Sequence, residues 1–123
     1  MEGVDDVYPF ELTPSNYWQL DMRPTIEAVV RDLKRGAEPG VISAAFHNTV
    51  AQAMVETCRC IAKSDALRQV CLSGGTFQNA YLLRRSVRAL RQAGFDVYLH
   101  TQVPANDGGL SLGQAVIANA MLD

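Results

Sequence analysis

The chain has 123 residues, of which 48% are apolar, and a formal net charge of −2. This length and apolar content suit one core, so we assign residues 1–123 to a single domain. The small negative charge gives no electrostatic reason to expect nucleic acid or an anionic membrane as a partner. No apolar run approaches the roughly 20 residues of a membrane span, and no signal-peptide pattern opens the chain, so we expect a soluble cytoplasmic protein.

The first half of the sequence predicts a short irregular region followed by two helices. Aromatic and apolar residues stand among acids and turn formers up to residue 20, which indicates one or two short strands joined by a turn at Pro14-Ser15-Asn16. Pro24–Arg35 is predicted to be a helix that ends at Gly36. Its apolar residues recur at helical spacing: Ile26, Val29, Val30 and Leu33. Val41–Lys63 has a wide apolar face and small residues elsewhere, so we expect a helix buried on more than one side.

The second half of the sequence is predicted to alternate strands and helices. The predicted elements are Gln69–Ser73 (strand), Asn79–Ala93 (helix), Phe95–His100 (strand) and Leu110–Leu122 (helix). The inward residues of the first of these helices are predicted to be Leu83, Val87 and Leu90. Strands and helices that alternate with short links imply parallel strands and a right-handed crossover. The predicted fold class is therefore helix-rich α/β.

The three cysteines do not suggest a disulfide or a metal site. Cys58 and Cys60 lie two positions apart on a predicted helix, so their side chains point about 200° apart, unlike any usual zinc spacing. We expect both to be buried, reduced thiols. Cys71 lies in an apolar strand and is predicted to belong to the core.

The first loop of interest is Ser73-Gly74-Gly75, which follows the first predicted parallel strand. Open α/β sheets bind ligands at the carboxyl ends of their strands, and paired glycines let the backbone approach a ligand closely. The loop is neither a Walker A nor a GxGxxG sequence, so a tight strand-to-helix turn explains it equally well. Asn79, about one turn later, suits either a contact with a ribose or base edge, or a cap for the helix.

The second loop of interest, residues 104–109, follows the second strand and contains Asn106-Asp107-Gly108-Gly109. Asp107 precedes a helix, and the local sequence favours a helix cap over a metal ligand. Two glycines after an Asn-Asp pair are nevertheless more than a cap requires. A carboxylate at this position could hold a divalent metal against phosphate oxygens.

Histidines and arginines give weaker signals. His47 lies on the flank of the long helix, where a satisfied residue at the edge of the core is the favoured interpretation. His100 ends a strand beside the second loop, but the sequence names no partner for it. One helix face carries several arginines: Arg84, Arg88 and Arg91, with Arg85 beside them. A solvated face is favoured there over a docking surface for an acidic partner.

The two loops together resemble the C-terminal end of the hydrogenase-maturation carbamoyltransferases, the HypF family. That family carries an SGG-x-FQN loop, a helix, a strand and a P-x-NDGG-x-x-LGQ loop with its helix, and residues 73–114 contain both motifs. The upstream helices, with Phe46-His47-Asn48, also look like the paired helices of the family. The resemblance covers nearly the whole chain from about Trp18.

The resemblance implies one lobe of the actin-like/sugar-kinase (ASKHA) fold. It also implies an enzyme that takes carbamoyl phosphate and ATP to carbamoyl-adenylate and passes the carbamoyl group to the C-terminal cysteine of HypE, during maturation of [NiFe] hydrogenases. By position, the implied nucleotide-binding residues are Ser73, Gly74, Gly75, Asn79, Gly108 and Gly109. Asp107 would be a ligand of a divalent metal, either iron, zinc or magnesium.

The family enzymes are several times longer than this chain, and their acylphosphatase-like, zinc-finger and adenylate-forming domains lie upstream, as do the histidines that complete the metal site. Asp107 alone cannot hold a catalytic metal, which needs about three protein ligands. We therefore expect little or no turnover from the isolated chain, and we expect upstream domains and a HypE-like acceptor as partners. The alternatives are a lobe of another actin-like ATPase or sugar kinase, and a non-catalytic interaction module that dimerises through an apolar surface.

Overall fold

The structure, a computed structural model, describes residues 5–15 and 17–122, without the side chain of Ser64. Asn16, the last residue of the predicted turn, lies outside the described residues. The elements in chain order are β1 (Glu11–Thr13), β2 (Gln19–Asp21), α1 (Arg23–Lys34), α2 (Pro39–Asp65), β3 (Gln69–Leu72), α3 (Ala80–Gln92), β4 (Asp96–Leu99) and α4 (Leu110–Ala120). Two short 3₁₀ turns, Gly75–Gln78 and Asp107–Gly109, precede α3 and α4.

The described strands form two separate pairs. β1 and β2 are antiparallel, and β3 and β4 are parallel with α3 as their crossover. The prediction of a helix-rich α/β fold with a parallel pair is confirmed, and the ends of the helices and of the parallel strands lie within two residues of their predicted positions. None of the helices in the described part of the chain is long and apolar enough to cross a bilayer.

The long helix α2 lies between α1 and α3 and packs against both. Its buried apolar positions are mostly small: Ile42, Ala44, Ala45, Ala51, Ala53, Val55 and Ala62. Small side chains on several faces let neighbouring helices approach closely, and the predicted burial of this helix on more than one side is confirmed. Pro39 at the first helical position and Ala66, in the left-handed conformation (φ 56°), mark the two ends of the helix.

The core beneath β3 joins α2, α3 and the two parallel strands. Its fully or nearly buried members are Val55, Ala62, Leu72, Leu90 and Phe95. The prediction for Leu90 is confirmed, since none of its surface is exposed. Leu83 and Val87 are half-buried against this cluster, whereas the most buried face of α3 contains Leu82 and Ser86 together with Leu90.

The prediction that Cys71 belongs to the core is wrong, because its side chain is exposed. An uninterrupted apolar strand is typical of a sheet covered on both faces. In the described residues only the face that carries Leu72 meets the helices, while Cys71 and its partner across the pair, Tyr98, lie on the open face. Cys58 and Cys60 are half-buried rather than fully buried, and burial raises the pKa of the Cys58 thiol.

Most of the apolar stripe of α1 does not face the core, although an amphipathic helix of a globular protein usually packs its apolar face there. Thr25 and Ala28 are buried towards α2, whereas Ile26 and Leu33 are 52% and 56% exposed. The helix itself is confirmed, but its apolar side points away from the rest of the described chain. A stripe of this kind is typical of a surface that meets another unit.

Buried polar groups hold the N-terminal segment against the helices. The backbone N–H of Tyr8 donates to Thr49 Oγ1 at 2.8 Å, and Thr25 Oγ1 donates to the carbonyl of Pro9 at 2.7 Å. Both threonines are fully buried. Because a buried polar group without a partner is costly, these bonds fix the path of the segment.

Tyr8 makes the stability of the fold depend on pH in the alkaline range. Its hydroxyl donates to Asp32 Oδ2 at 2.9 Å, and burial together with the carboxylate of Asp32 raises the pKa of Tyr8 from 10.0 to about 12. Since the folded pKa lies above the unfolded one, the stabilisation is complete below about pH 10 and is lost as the pH rises towards 12. Between pH 9 and pH 12 the free energy of unfolding of the wild type should fall by roughly 2 kcal/mol more than that of Tyr8→Phe. Urea unfolding at a series of pH values measures the difference.

The matched control for this measurement is Tyr17→Phe, since the side chain of Tyr17 is 84% exposed. This variant should follow the wild-type pH profile. Parallel profiles of wild type and Tyr8→Phe would contradict the role of the hydrogen bond between Tyr8 and Asp32.

Candidate nucleotide and metal site

The parallel pairing of β3 and β4 places the two glycine-rich loops side by side. Leu72 is in register with Leu99, so Ser73 and His100 are the next residues on neighbouring strands. The Nε2 atom of His100 lies 2.8 Å from Ser73 Oγ, and both side chains are exposed. The ends of both strands therefore present polar groups at one edge of the sheet, where open α/β sheets bind ligands.

A backbone hydrogen bond joins the two loops directly. The N–H of Gly74 donates to the carbonyl of Ala105 at 2.7 Å. The joined loops line one cavity of about 350 Å³. The polar and glycine residues in its wall include Ser73, Gly74, His100, Asn106, Asp107 and Gly109. The structure thus brings together most of the residues that the sequence predicted as a site.

Three of the four glycines in the two loops, Gly74, Gly108 and Gly109, have structural reasons to be glycine, whereas a Cβ atom on Gly75 would meet only Asn106 Cβ at 4.0 Å. Gly74 has φ 105° and ψ 158°, a region that only glycine adopts readily. A Cβ atom on Gly108 would lie 2.9 Å from Pro104 Cγ, and one on Gly109 would lie 3.0 Å from the carbonyl oxygen of Pro104. The loop conformation by itself therefore accounts for these three glycines, whether or not a ligand approaches them.

Asn79 caps α3, as one of the two interpretations of this residue proposed. Its Oδ1 accepts hydrogen bonds from the backbone N–H groups of Tyr81 and Leu82, both at 3.1 Å. Its Nδ2 lies 2.8 Å from Nε2 of His47. The side chain remains exposed, so the cap leaves it accessible to a ligand.

Asp107 is not the helix cap that the local sequence favours. Asn106 takes that role, because its Oδ1 accepts from the N–H of Gly108 at 3.0 Å and its carbonyl accepts from the N–H of Gly109 at 3.0 Å. The interpretation of Asp107 as a cap is therefore wrong. The physical reason is that a 3₁₀ turn begins at Asp107, three residues before the predicted start of the helix, so Asn106 is its cap and Asp107 lies inside the turn. The carboxylate of Asp107 is exposed in the wall of the cavity.

The described residues contain only part of a metal site. Nowhere in ranges 5–15 and 17–122 do three or more His, Cys, Asp or Glu side chains lie close enough together to hold a metal ion. Asp107 can supply one carboxylate oxygen donor, the type of ligand that divalent metals accept. A catalytic metal would need further ligands from outside this set.

The two histidines show what the sequence could not reveal. His47 is half-buried at the edge of the core, as predicted, with Nδ1 2.6 Å from the carbonyl oxygen of Ser43. Its contact with Asn79 and the contact between His100 and Ser73 join residues that are 32 and 27 positions apart. The first contact arises from the packing of α3 against α2, and the second from the parallel register of β3 and β4. The sequence signal for the second was the position of His100 at a strand end.

The arginines of α3 lie mostly in solvent, as the favoured interpretation proposed. Arg84, Arg88 and Arg91 are exposed. Arg85 faces the N-terminal segment, where it forms an ion pair with Asp5 at 2.9 Å. Exposed pairs of this kind contribute little to stability.

A parallel strand pair with two glycine-rich loops around one cavity matches a known class of domain. Residues 2–114 match the family described as the second subdomain of the carbamoyltransferase Kae1-like domain. The carbamoyltransferase HypF of Synechocystis sp. is 32% identical over 112 residues, which cover 90% of this chain and 14% of that protein. The HypF of Rhodobacter capsulatus is 36% identical over 91 residues, 74% of this chain and 12% of its own length. The chain belongs to the HypF carbamoyltransferase family.

Solved structures agree with this assignment and with the resemblance of the two motifs. A crystal structure of full-length HypF in the phosphate- and nucleotide-bound form matches 100% of this chain, with a TM-score of 0.93 and 41% sequence identity. A crystal structure of T. kodakarensis HypF matches 98% of it with a TM-score of 0.77 and 24% identity, and so supports the fold alone. The chain spans 16% and 15% of those two proteins.

Proposed function

We propose that this chain forms one wall of the nucleotide site of a carbamoyltransferase. The complete enzyme would convert carbamoyl phosphate and ATP to carbamoyl-adenylate and carbamoylate the C-terminal cysteine of a HypE-like acceptor during [NiFe]-hydrogenase maturation. Family membership supports this proposal, as does the match to a HypF structure in its phosphate- and nucleotide-bound form. The observation that carries it is the hydrogen bond between Gly74 and Ala105, which joins both loops around one cavity.

The proposed nucleotide contacts follow from the chemistry of the two loops. They involve Ser73, Gly74, Gly75, Asn79, Gly108 and Gly109. The hydroxyl of Ser73 can donate to a phosphate oxygen. The N–H of Gly74 already donates to the carbonyl of Ala105, so Gly74 would serve by having no side chain, which lets the ligand approach the backbone. Gly75 begins a helical turn, and the first N–H groups of such a turn have no partner within it.

A divalent metal, either iron, zinc or magnesium, would stabilise the charge that develops on the phosphate oxygens. Asp107 fits one ligand position, since its carboxylate is exposed in the cavity wall. The remaining ligands would come from upstream domains of the parent protein, as would the facing lobe of the actin-like/sugar-kinase fold. The isolated chain should therefore show little or no turnover. The working environment of the enzyme would be the cytoplasm.

Titration of the chain with ATP, with and without Mg²⁺ or Zn²⁺, tests this proposal by calorimetry and by NMR of the backbone amides. We expect Kd to be weaker than about 1 mM because one lobe offers few contacts. Any shifts should concentrate in the loops at 73–79 and 106–109. Asp107→Ala should change this weak affinity less than twofold, as should the control Asp96→Ala on β4.

Two results would contradict the proposal. Shifts that avoid both loops would contradict the nucleotide contacts. Tight binding that requires the metal and is lost in Asp107→Ala would mean that the chain holds a complete site, against the assignment of a single wall.

A non-catalytic interaction module is the second candidate, and exposed apolar side chains favour it. On α4 these residues are Leu110, Leu112, Val116 and Ile117. Apolar surface of this kind is typical of an interface, which could be a homodimer or a contact with the rest of a longer protein. Sedimentation of the purified chain distinguishes a homodimer from a contact with the rest of a longer protein, since a monomer at all concentrations contradicts the homodimer.

A further inference from the structure

We propose that His47 is a positioning residue that fixes the side-chain amide of Asn79, so that Asn79 can meet a ligand only as a hydrogen-bond donor. The structural part of this inference concerns the pair itself. The statement about the ligand rests on the nucleotide site proposed above. The pair joins the third turn of α2 to the residue that caps α3, 32 positions further along the chain.

The surroundings of His47 determine which ring nitrogen carries the proton. Its Nδ1 lies 2.6 Å from the carbonyl oxygen of Ser43, and a carbonyl can only accept, so Nδ1 donates. In the neutral ring Nε2 is then an acceptor, which suits the N–H of Asn79 at 2.8 Å. The rings of Phe46 and Tyr81 meet the imidazole edge-on, with centroids at 6.2 and 5.8 Å, and hold its orientation.

A count of hydrogen bonds at Asn79 leaves a single free group. Both lone pairs of Oδ1 accept backbone N–H groups, from Tyr81 and Leu82. One hydrogen of Nδ2 points to His47, and an amide nitrogen has two. The remaining N–H lies on an exposed side chain. It could donate to an oxygen of a ribose or phosphate, or to a ring nitrogen of a base.

The opposite amide orientation is excluded at both ends. A reversed Asn79 would turn Nδ2 towards two backbone N–H groups and Oδ1 towards the lone pair of His47 Nε2. It would exchange three hydrogen bonds for three repulsive contacts. The first turn of α3 and His47 therefore favour the same orientation of the Asn79 amide. The capping hydrogen bonds alone would favour this orientation less strongly.

The first arm of the test uses NMR on the free chain. Nitrogen-15 resonances of the His47 ring should show the tautomer protonated at Nδ1. In His47→Leu, which removes the acceptor, amide exchange at Tyr81 and Leu82 should accelerate about fivefold. His47→Gln, which offers an acceptor oxygen, should restore most of this protection. A ring protonated at Nε2 alone would overturn the proposal, and so would unchanged Asn79 side-chain resonances in His47→Leu.

A second variant keeps the proposal testable if His47→Leu folds poorly. Asn79→Asp retains an oxygen for the two backbone N–H groups but turns its other oxygen towards the lone pair of Nε2. Two acceptors cannot share a hydrogen bond, so the contact should break and the nitrogen-15 resonance of Nε2 should move. Ring nitrogen resonances that stay unchanged in this variant would overturn the pairing.

The second arm adds ATP and Mg²⁺ to the same wild-type sample. A ligand bound through the free N–H should move one of the two Asn79 side-chain proton resonances and leave the other, bonded to His47, in place. Movement of the bonded proton alone would overturn the donor role. If no loop resonance moves, the single wall binds ATP too weakly to detect, as the proposed function allows, and the first arm decides the role of His47.

Discussion

Leu90→Ala should lower the free energy of unfolding by about 3 kcal/mol, a large part of the roughly 5–15 kcal/mol available to a domain of this size. The side chain of Leu90 has no exposed surface and packs in the cluster that contains Val55, Leu72 and Phe95. Its removal costs both the transfer of its methyl groups and the cavity left behind. Urea unfolding followed by circular dichroism measures the change.

The matched control is Leu110→Ala on α4, where the leucine is 62% exposed and should contribute within about 0.5 kcal/mol. Equal losses in the two variants would contradict the core described above. Because Leu72 precedes the Ser73 loop directly, the core variant should also broaden the NMR resonances of that loop, whereas the control should leave them sharp.

The local rules of the sequence predict the elements well. Helix periodicity, the glycine after α1 and the change of period before β3 gave the order of elements and the parallel pair. These signals are local, since each depends on residues within one or two turns. The pairing of both loops at one edge followed as well, because two parallel strands with a crossover must end at the same edge.

The sequence predicts burial less well, because burial depends on what covers each face. Cys71 lies in an apolar strand, yet its face of the sheet meets nothing in the described part of the chain. Ile26 and Leu33 follow helical periodicity, yet they point away from α2. In both places the apolar pattern marks a face that would suit a cover, and the described residues do not cover it. Pattern alone therefore cannot decide burial.

The site also required information beyond the sequence. Asn106 and Asp107 are equally good caps by composition, and the start of the 3₁₀ turn decides between them. The contact between His47 and Asn79 depends on how closely α3 packs against α2, which no spacing rule encodes. The motifs therefore located the loops correctly, while the assignment of hydrogen-bond donors and acceptors within them came from the packing.

Gly74→Ala should destabilise the fold by about 2 kcal/mol and open the joint between the two loops. No atom lies within 4 Å of the position that its Cβ would take, so the cost is the backbone conformation at φ 105° and ψ 158° rather than a clash. Relief of this strain would rotate the N–H of Gly74 away from the carbonyl of Ala105 and break their hydrogen bond. Urea unfolding measures the first effect, and amide exchange at position 74, compared between the wild type and the variant, measures the second.

Gly113→Ala is the control because it makes the same chemical change but should alter the free energy of unfolding in the opposite direction. Gly113 lies inside α4, and no atom approaches the position of its Cβ within 4 Å. Alanine there should stabilise the helix by roughly 0.5–1 kcal/mol. If Gly74→Ala also stabilises the fold, backbone strain at Gly74 is not what makes glycine necessary. The requirement would then lie with a bound ligand, and affinity for ATP would fall in Gly74→Ala without any loss of stability.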